Sequence, residues 1–456
     1  MQKPKVVLVG AGSLFFGRNA IWQMVHAEAL RGGTLALVDT DAGRLDKMRR
    51  LAERVVAHHD ASLKVEASVD RRDVLPGADF VILSFADRNA HFRGVDCETS
   101  LRYGIRMCSG DTIGPGGVFR TLREWPEIAR CARDVMDTCP DAWVLNYINP
   151  TATNGIGLRR FFPGLKSIAL CDAQFGLTRR YAELAGVDED DPGLVIRSAG
   201  PNHFTWLLEC THNGRDLTPD ILAQLRERAT DDLNEQAQGK VSQAKGYMNN
   251  GIAAELYDAF GVLPTVLGHT KEYVRFYQHP GYAGRDAHPP LKIFEVPARL
   301  AWTQRVWDRV DAYLAGTDGG GVAIGEFDDE LREDPATELV ERMWTGNGGP
   351  MFVNTMNGGA VPNLADDAFL ELLCDVDMEG VRPRSCPAMP RGVRGLCEQV
   401  LDTHELTAAA AHHADRGLLR RALLTDPLTS SIGDVDAIID DLLELQRDAL
   451  DERWYG

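Results

Sequence analysis

Five groups of residues combine types and spacing that could carry chemistry. The first is Gly10-Ala11-Gly12-Ser13, with Gly17 behind it, directly after the apolar run KVVLV at 5–9. A turn of small residues lets the backbone approach a pyrophosphate, and the N-terminus of the following helix adds N–H donors and a positive dipole end. The third glycine lies two residues later than in G-x-G-x-x-G, so the pattern is a variant. Asp39 closes a second apolar run, 27 residues after Gly12. A carboxylate there accepts hydrogen bonds from the ribose hydroxyls of NAD and repels the extra phosphate of NADP. A lone G-x-G says little. Strand, glycine turn, helix, strand and terminal Asp in that order predict an NAD site on Gly10, Gly12, Ser13 and Asp39. The competing reading is a doubly wound fold with a glycine turn and no nucleotide.

The other four groups lie in the middle of the chain. Asp111-Thr112 with Gly114-Pro115-Gly116-Gly117, Arg120 and Arg123 reads as a loop before a helix. Asn146-Tyr147-Ile148-Asn149-Pro150 ends a strand, where polar residues face the ligand crevice of a parallel sheet, although alone it is a strand-ending turn. Cys171-Asp172 ends another strand, and Asn202-His203 follows about thirty residues on. Cys, His and a carboxylate can hold a transition metal and leave positions open for substrate oxygens. On spacing alone, a buried Cys and a satisfied His are the commoner reading. Last, His269, Lys271, Glu272, Tyr273 and Arg275 crowd polar groups beside aromatics, as a pocket wall or a solvated helix face would.

The elements that must position these residues alternate. Strands are predicted at 5–9, 34–39, 79–84, 142–146 and 166–171, with helices at 14–31, 41–59 and, interrupted by Trp125-Pro126, about 120–138. Apolar strands alternating with helices predict an α/β fold with a parallel, doubly wound Rossmann sheet over residues 1–195. From about 195 the pattern changes to strands near 195–199 and 204–210, a polar helical stretch over 217–260 and a loop-rich zone over 261–295. A glycine run at 316–321 reads as a surface loop. Strand and helix return over 368–376 and 393–423, and a last helix is predicted over 432–452. Residues 196–456 are therefore expected to form an α+β domain for substrate, metal and oligomerisation. Net charge is −18, which argues against nucleic-acid and anionic-membrane partners, since both need a basic face. Nine Cys without small-scaffold spacing suggest reduced thiols in the cytoplasm. The N-terminus runs straight into a strand, so no signal peptide is expected, and no apolar run reaches membrane-helix length.

Taken together, the order of these motifs resembles glycoside hydrolase family 4, the NAD- and metal-dependent glycosidases. The resemblance runs from Gly10-Ala11-Gly12-Ser13 through Gly114-Pro115-Gly116-Gly117, Asn146 to Pro150, Cys171-Asp172 and Asn202-His203. It continues to Phe352-Val353-Asn354, Asn357-Gly358-Gly359, Pro362-Asn363-Leu364 and the late Asp426-Pro427-Leu428. It implies a lactate/malate dehydrogenase-like architecture and a redox route to glycoside cleavage, an exception to two-carboxylate hydrolysis. NAD would take a hydride from C3 of the sugar, a base would remove the acidified C2 proton, and the aglycone would leave from C1. Water would then add and the hydride return. By the same resemblance Cys171 and His203 would ligate Mn²⁺ or another divalent metal. Asn149 would contact cofactor and substrate, Asn202 and His203 the substrate, and Asp172 would be the general acid. The Asp that some members place before an Arg-His pair is missing at Leu267-Gly268-His269, whereas Tyr273-Val274-Arg275-Phe276-Tyr277 resembles the tyrosine form, so Tyr273 is the expected base. The run Asp172-Ala173-Gln174-Phe175 departs from the phosphoglucosidase and α-galactosidase patterns. It suggests an outlying branch, such as the NAD-dependent sulfoquinovosidases, or an enzyme for uronic acids.

An anionic sugar would find cations among Arg88, Arg93, Lys245, Lys271 and Arg275, each of which is individually a surface charge on the commoner reading. A small-molecule glycoside is the expected partner, and a homo-oligomer, dimer or tetramer, the expected assembly. The main alternative is an NAD-dependent 2-hydroxy acid dehydrogenase of the lactate/malate type, which shares the N-terminal domain but uses a His-Asp pair without metal. A nucleotide-sensing protein with a dead site is the second, and Cys171, Asp172 and His203 speak against it.

Overall fold

Runs of apolar residues long enough for one strand and buried on both faces set the centre of the molecule. Strand β1 (Lys5–Val9), β2 (Thr34–Val38), β4 (Phe80–Leu83) and β5 (Trp143–Asn146) are almost wholly buried. Such strands need helices on both sides. The computed structural model describes residues 3–456 apart from 15, 16, 108, 111, 238–249, 279–293 and 317–333.

Between β2 and β4 lies β3 (Lys64–Ser68), which the sequence reading leaves out. Its KVEAS pattern has no apolar run because it is a half-exposed edge strand. With β6 (Ser167–Ala169), the parallel strands run in the order β3-β2-β1-β4-β5-β6. This is the doubly wound Rossmann order, and ligands bind across it where the order reverses, between β1 and β4.

The sheet does not stop at β6. It continues through antiparallel strands β11 (Met351–Met356), β12 (Phe369–Asp377), β7 (Leu194–Gly200), β8 (Trp206–His212) and β10 (Leu263–Pro264). The short β9 (Arg215–Asp216) and β13 (Gly380–Pro383) pair with β8 and β12. A single ladder pair, Asn354 with Ala169, joins the parallel and antiparallel parts.

Several element bounds differ from the sequence-based ones for identifiable reasons. The first helix, α1, covers Gly17–His26, after the small-residue turn. Helix α4 starts at Gly114 rather than near 120 and runs through Pro126 to Thr138. Pro115 sits in its first turn, where a missing N–H costs nothing. The Gly114 N–H donates to the buried Asp426 carboxylate at 2.8 Å, so the late Asp-Pro-Leu motif caps a helix on the other side of the sequence. The last long helix ends at Leu445. The stretch after Gly316 in the glycine run lies outside the described residues, as do Asp111 and Lys245. Among the described residues no helix is long and apolar enough to cross a membrane.

Candidate active site

The dinucleotide turn follows β1. Gly10 has φ +93°, and a Cβ there would lie 2.3 Å from the Ser84 carbonyl oxygen at the end of β4. The N–H groups of Gly10 and Ala11 both donate to Val38 O, tying the turn to the end of β2. Asp39 follows immediately, and its Oδ2 accepts from the Gly12 N–H at 2.8 Å, while Oδ1 accepts from Asp41 N–H. Gly10, Gly12 and Asp39 therefore meet at the β1–β2 edge of the crevice, with Ser13 closing the turn onto Gly10 O. Beside them the Ser84 hydroxyl is buried without a hydrogen-bond partner among the described residues. A backbone cradle that a Cβ would fill, next to an orphaned hydroxyl, fits a dinucleotide.

On β5 the Asn-Tyr-Ile-Asn-Pro run is shaped from within. Buried Asn146 and Asn154 both donate to Ile148 O, which turns the chain so that Asn149 follows on the crevice side of the strand end. Asn149 Oδ1 accepts from the Thr151 hydroxyl.

Cys171 follows β6, and Asn202-His203 occupies the turn between β7 and β8. The structure brings them together: Cys171 Sγ lies 2.8 Å from His203 Nε2, and both residues are buried. His203 is held at φ +65°, a left-handed conformation uncommon for a side-chain-bearing residue. Burial pushes the Cys171 thiol well up, and the neighbouring carboxylates Asp172 and Glu371 push the same way. A thiol and an imidazole converging among negative groups are a donor set that a divalent cation would neutralise. Among the described residues no cluster of three or more His, Cys, Asp and Glu could hold a metal. Asp172 is exposed at the rim, its Oδ1 3.8 Å from Cys171 Sγ.

The Lys271–Arg275 segment divides. His269 stacks on His203, ring centroids 4.2 Å apart and nearly parallel, with its Nδ1 3.7 Å from Glu272 Oε1. Tyr273 is buried and stacked on Phe204, the residue after His203, at 5.2 Å. Lys271 is buried and donates to Gly268 O. Arg275 is exposed and, with Tyr273 and Phe276, lines a cleft of about 460 Å³. Arg88 is the sequence-predicted cation that the structure turns elsewhere: it pairs with Asp448 at 2.7 Å and with Asp87, and lies over the Phe92 ring. Arg93 is likewise bonded to Ser109 O.

Three residues near the site escape sequence reasoning. Glu371, the third residue of β12, is fully buried and accepts from Asn202 Nδ2 at 3.3 Å. Burial pushes its carboxyl up to about 8. Asp334, capping the helix Pro335–Thr345, is buried close enough to Asp172 and Tyr147 to act on both, and burial pushes it up to about 6. Gln174, in the run that departs from the family pattern, turns inward to the hydroxyls of Ser198, Thr205 and Thr265. It packs as a polar knot behind the site.

Comparison with known proteins agrees with this arrangement. The model described as Family 4 glycosyl hydrolase matches residues 5–187, and that of the Family 4 glycosyl hydrolase C-terminal domain matches 198–429. The chain is 29% identical to an α-galactosidase of Bacillus subtilis (strain 168), covering 98% of this chain and 99% of that protein. It is 27% identical to an α-galacturonidase of the same organism, over 97% and 98%. Its fold matches that of a 6-phospho-α-glucosidase from gut microorganisms, solved in complex with NAD and Mn²⁺, with a TM-score of 0.81 at 21% identity over 98% and 99% of the two chains. The chain belongs to the family 4 glycosyl hydrolases.

Proposed function

We propose that this glycosidase holds NAD at the Gly10–Ser13 turn with Asp39 on the ribose, and Mn²⁺ between Cys171 and His203, and that it cleaves a small glycoside with an anionic sugar, a uronic acid or sulfoquinovose. The observation that carries the reading is the 2.8 Å approach of Cys171 Sγ to His203 Nε2. It joins the end of a Rossmann strand to a turn 32 residues on. Held by the Gly10–Ser13 turn and Asp39, NAD would supply reversible hydride transfer, and a divalent metal held by Cys171 and His203 would supply Lewis acidity toward the sugar.

The chain's own groups handle protons and position. Asp172, exposed beside Cys171, gives a proton to the departing aglycone oxygen. Tyr273 takes the C2 proton. His269 is the second candidate for that step, favoured by its stack on His203. Asn149 and Asn202 orient the sugar, and Lys271 and Arg275 face its anionic group.

Turnover in D₂O tests the reading, because direct displacement at C1 never breaks the C2–H bond. Deuterium at C2 of the released sugar is expected, as is faster turnover of uronides or sulfoquinovosides than of neutral glycosides. Cleavage by enzyme stripped of NAD, with no deuterium at C2, overturns the redox route. Equal rates on neutral and anionic glycosides overturn the choice of sugar. Tyr273→Phe should slow C2 exchange about 10²–10⁴-fold, as loss of one positioned base does. A normal exchange rate in that variant transfers the role to His269.

A further inference from the structure

Glu371 breaks the pattern of its strand. Carboxylates are almost never fully buried without a partner, yet this one lies inside β12 between two other strands. On one side it pairs in register with Asn354, which itself faces Ala169, two residues before Cys171. On the other side it pairs with Gly200, two residues before Asn202. The row Ala169–Asn354–Glu371–Gly200 thus crosses the sheet between the two strand ends that carry Cys171 and His203.

From that place Glu371 reaches the turn that carries His203. Its Oε2 accepts from Asn202 Nδ2 at 3.3 Å, and the His203 backbone N–H lies close enough to favour its charged form. The Asn202 amide also lies close enough to Cys171 to favour its thiolate. Asn202 directly precedes His203, which is held at φ +65°, so the carboxylate bonds the chain next to the point where the turn is least able to hold itself. The other oxygen, Oε1, has no well-formed hydrogen bond among the described residues.

We propose that Glu371 is the positioning residue of the metal site, fixing Asn202 and with it the left-handed turn at His203 so that Sγ and Nε2 converge. This rests on Cys171 and His203 being the ligands. Groups behind a metal's ligands typically change affinity by about 10–100-fold when altered.

The test measures Mn²⁺ binding directly, from the signal of free Mn²⁺ in electron paramagnetic resonance titrations of the full chain with NAD present. Glu371→Gln keeps the shape of the side chain and replaces one of its two acceptor oxygens with a donor. Mn²⁺ affinity is expected to fall about 10–100-fold, with NAD affinity, read by quenching of intrinsic fluorescence, unchanged. A folded Glu371→Gln protein that binds Mn²⁺ within twofold of the parent overturns the inference. Cys171→Ser separates the two levels. If it abolishes Mn²⁺ binding while Glu371→Gln does not, only the inference fails. If it binds as the parent does, the ligand assignment fails and the inference with it. Should Glu371→Gln not fold, Asn202→Ala removes the side chain that Glu371 holds beside His203, and the same loss of Mn²⁺ affinity is expected. Parent-like binding by that variant counts against the inference.

Discussion

Replacing Gly10 by Ala should damage the fold and the cofactor site together, and two other glycines allow the effect to be divided. At Gly77 φ is +76° and a Cβ would meet nothing within 4 Å, so Gly77→Ala reports the backbone cost alone. That cost is about 1–2 kcal/mol for an L side chain in left-handed space. At Gly17 φ is ordinary, but a Cβ would lie 2.5 Å from Ala11 O, so Gly17→Ala reports a clash, about 1–3 kcal/mol for overpacking. Gly10 combines both: φ is +93°, and the Cβ would lie 2.3 Å from Ser84 O and 2.8 Å from Phe85 N. Those atoms are backbone and cannot rotate away. Nor can the turn slide, because Gly10 N–H is bonded to Val38 O and Ser84 N–H to Val9 O, each at 2.8 Å. The sum is about 2–5 kcal/mol, or roughly 2–5 °C in apparent Tm for a chain of this length. Differential scanning calorimetry with and without saturating NAD would read it. Gly77→Ala should keep the rise in Tm that NAD gives the parent, and Gly10→Ala should lose it. If Gly10→Ala matched Gly77→Ala in both Tm and NAD response, the close approach at this turn would have no energetic consequence, and the reasoning would fail.

Asp39→Asn should narrow the preference for NAD over NADP, measured as the ratio of dissociation constants, because the charge facing a 2′-phosphate is gone; an unchanged ratio would remove Asp39 from the ribose. Asp172→Asn should slow alkyl glycosides far more than nitrophenyl ones, since a good leaving group needs little protonation; equal losses would take the acid role away from Asp172. Asp334 carries a pH signature. Its folded carboxyl is raised from the ordinary 3.8 to about 6, burial being the main cause and Asp172 a lesser one. Its contribution to stability is therefore complete below about pH 4 and is lost as pH rises to about 6. Asp334→Asn should gain on the parent by up to about 3 kcal/mol across that window in urea melts, and a constant difference between the two proteins would refute it.

What the sequence displays is what local pattern can encode. Strands β1, β4 and β5 are legible because apolar runs between turns have few other readings, and Asp39 is legible because it ends such a run. The start of α4 is not, since Gly114-Pro115-Gly116-Gly117 reads as loop until Asp426, 312 residues away, supplies the cap. Glu371 is hidden for a related reason. In FLELLCDVD a lone Glu reads as the solvent face of a strand, and only the placement of β12 between β11 and β7 buries it. Arg88 looked available because sequence cannot show Asp448 waiting beside it.

The metal pair draws on both parts of the sheet, and this has a mechanical consequence. Cys171 follows the last parallel strand, whereas His203 lies in a turn of the antiparallel part, and the ladder between the parts has one register pair, Asn354 with Ala169. An ion shared by Sγ and Nε2 would act as a second tie across this seam, one that the unfolded chain does not offer. Binding to the folded state alone raises stability by RT ln(1 + [L]/Kd), about 2.7 kcal/mol at a hundredfold excess over Kd. Saturating Mn²⁺ should therefore raise the apparent Tm of the parent, a chelator should reverse the rise, and hydrogen exchange should slow on both β6 and β11. In Cys171→Ser or His203→Ala the rise should vanish while the NAD-dependent rise persists, because the Gly10 turn ties β1 to β2 without crossing the seam. Slower exchange confined to one side of the seam would mean that the ion is held by one part of the sheet alone, and that the 2.8 Å approach is packing rather than a site.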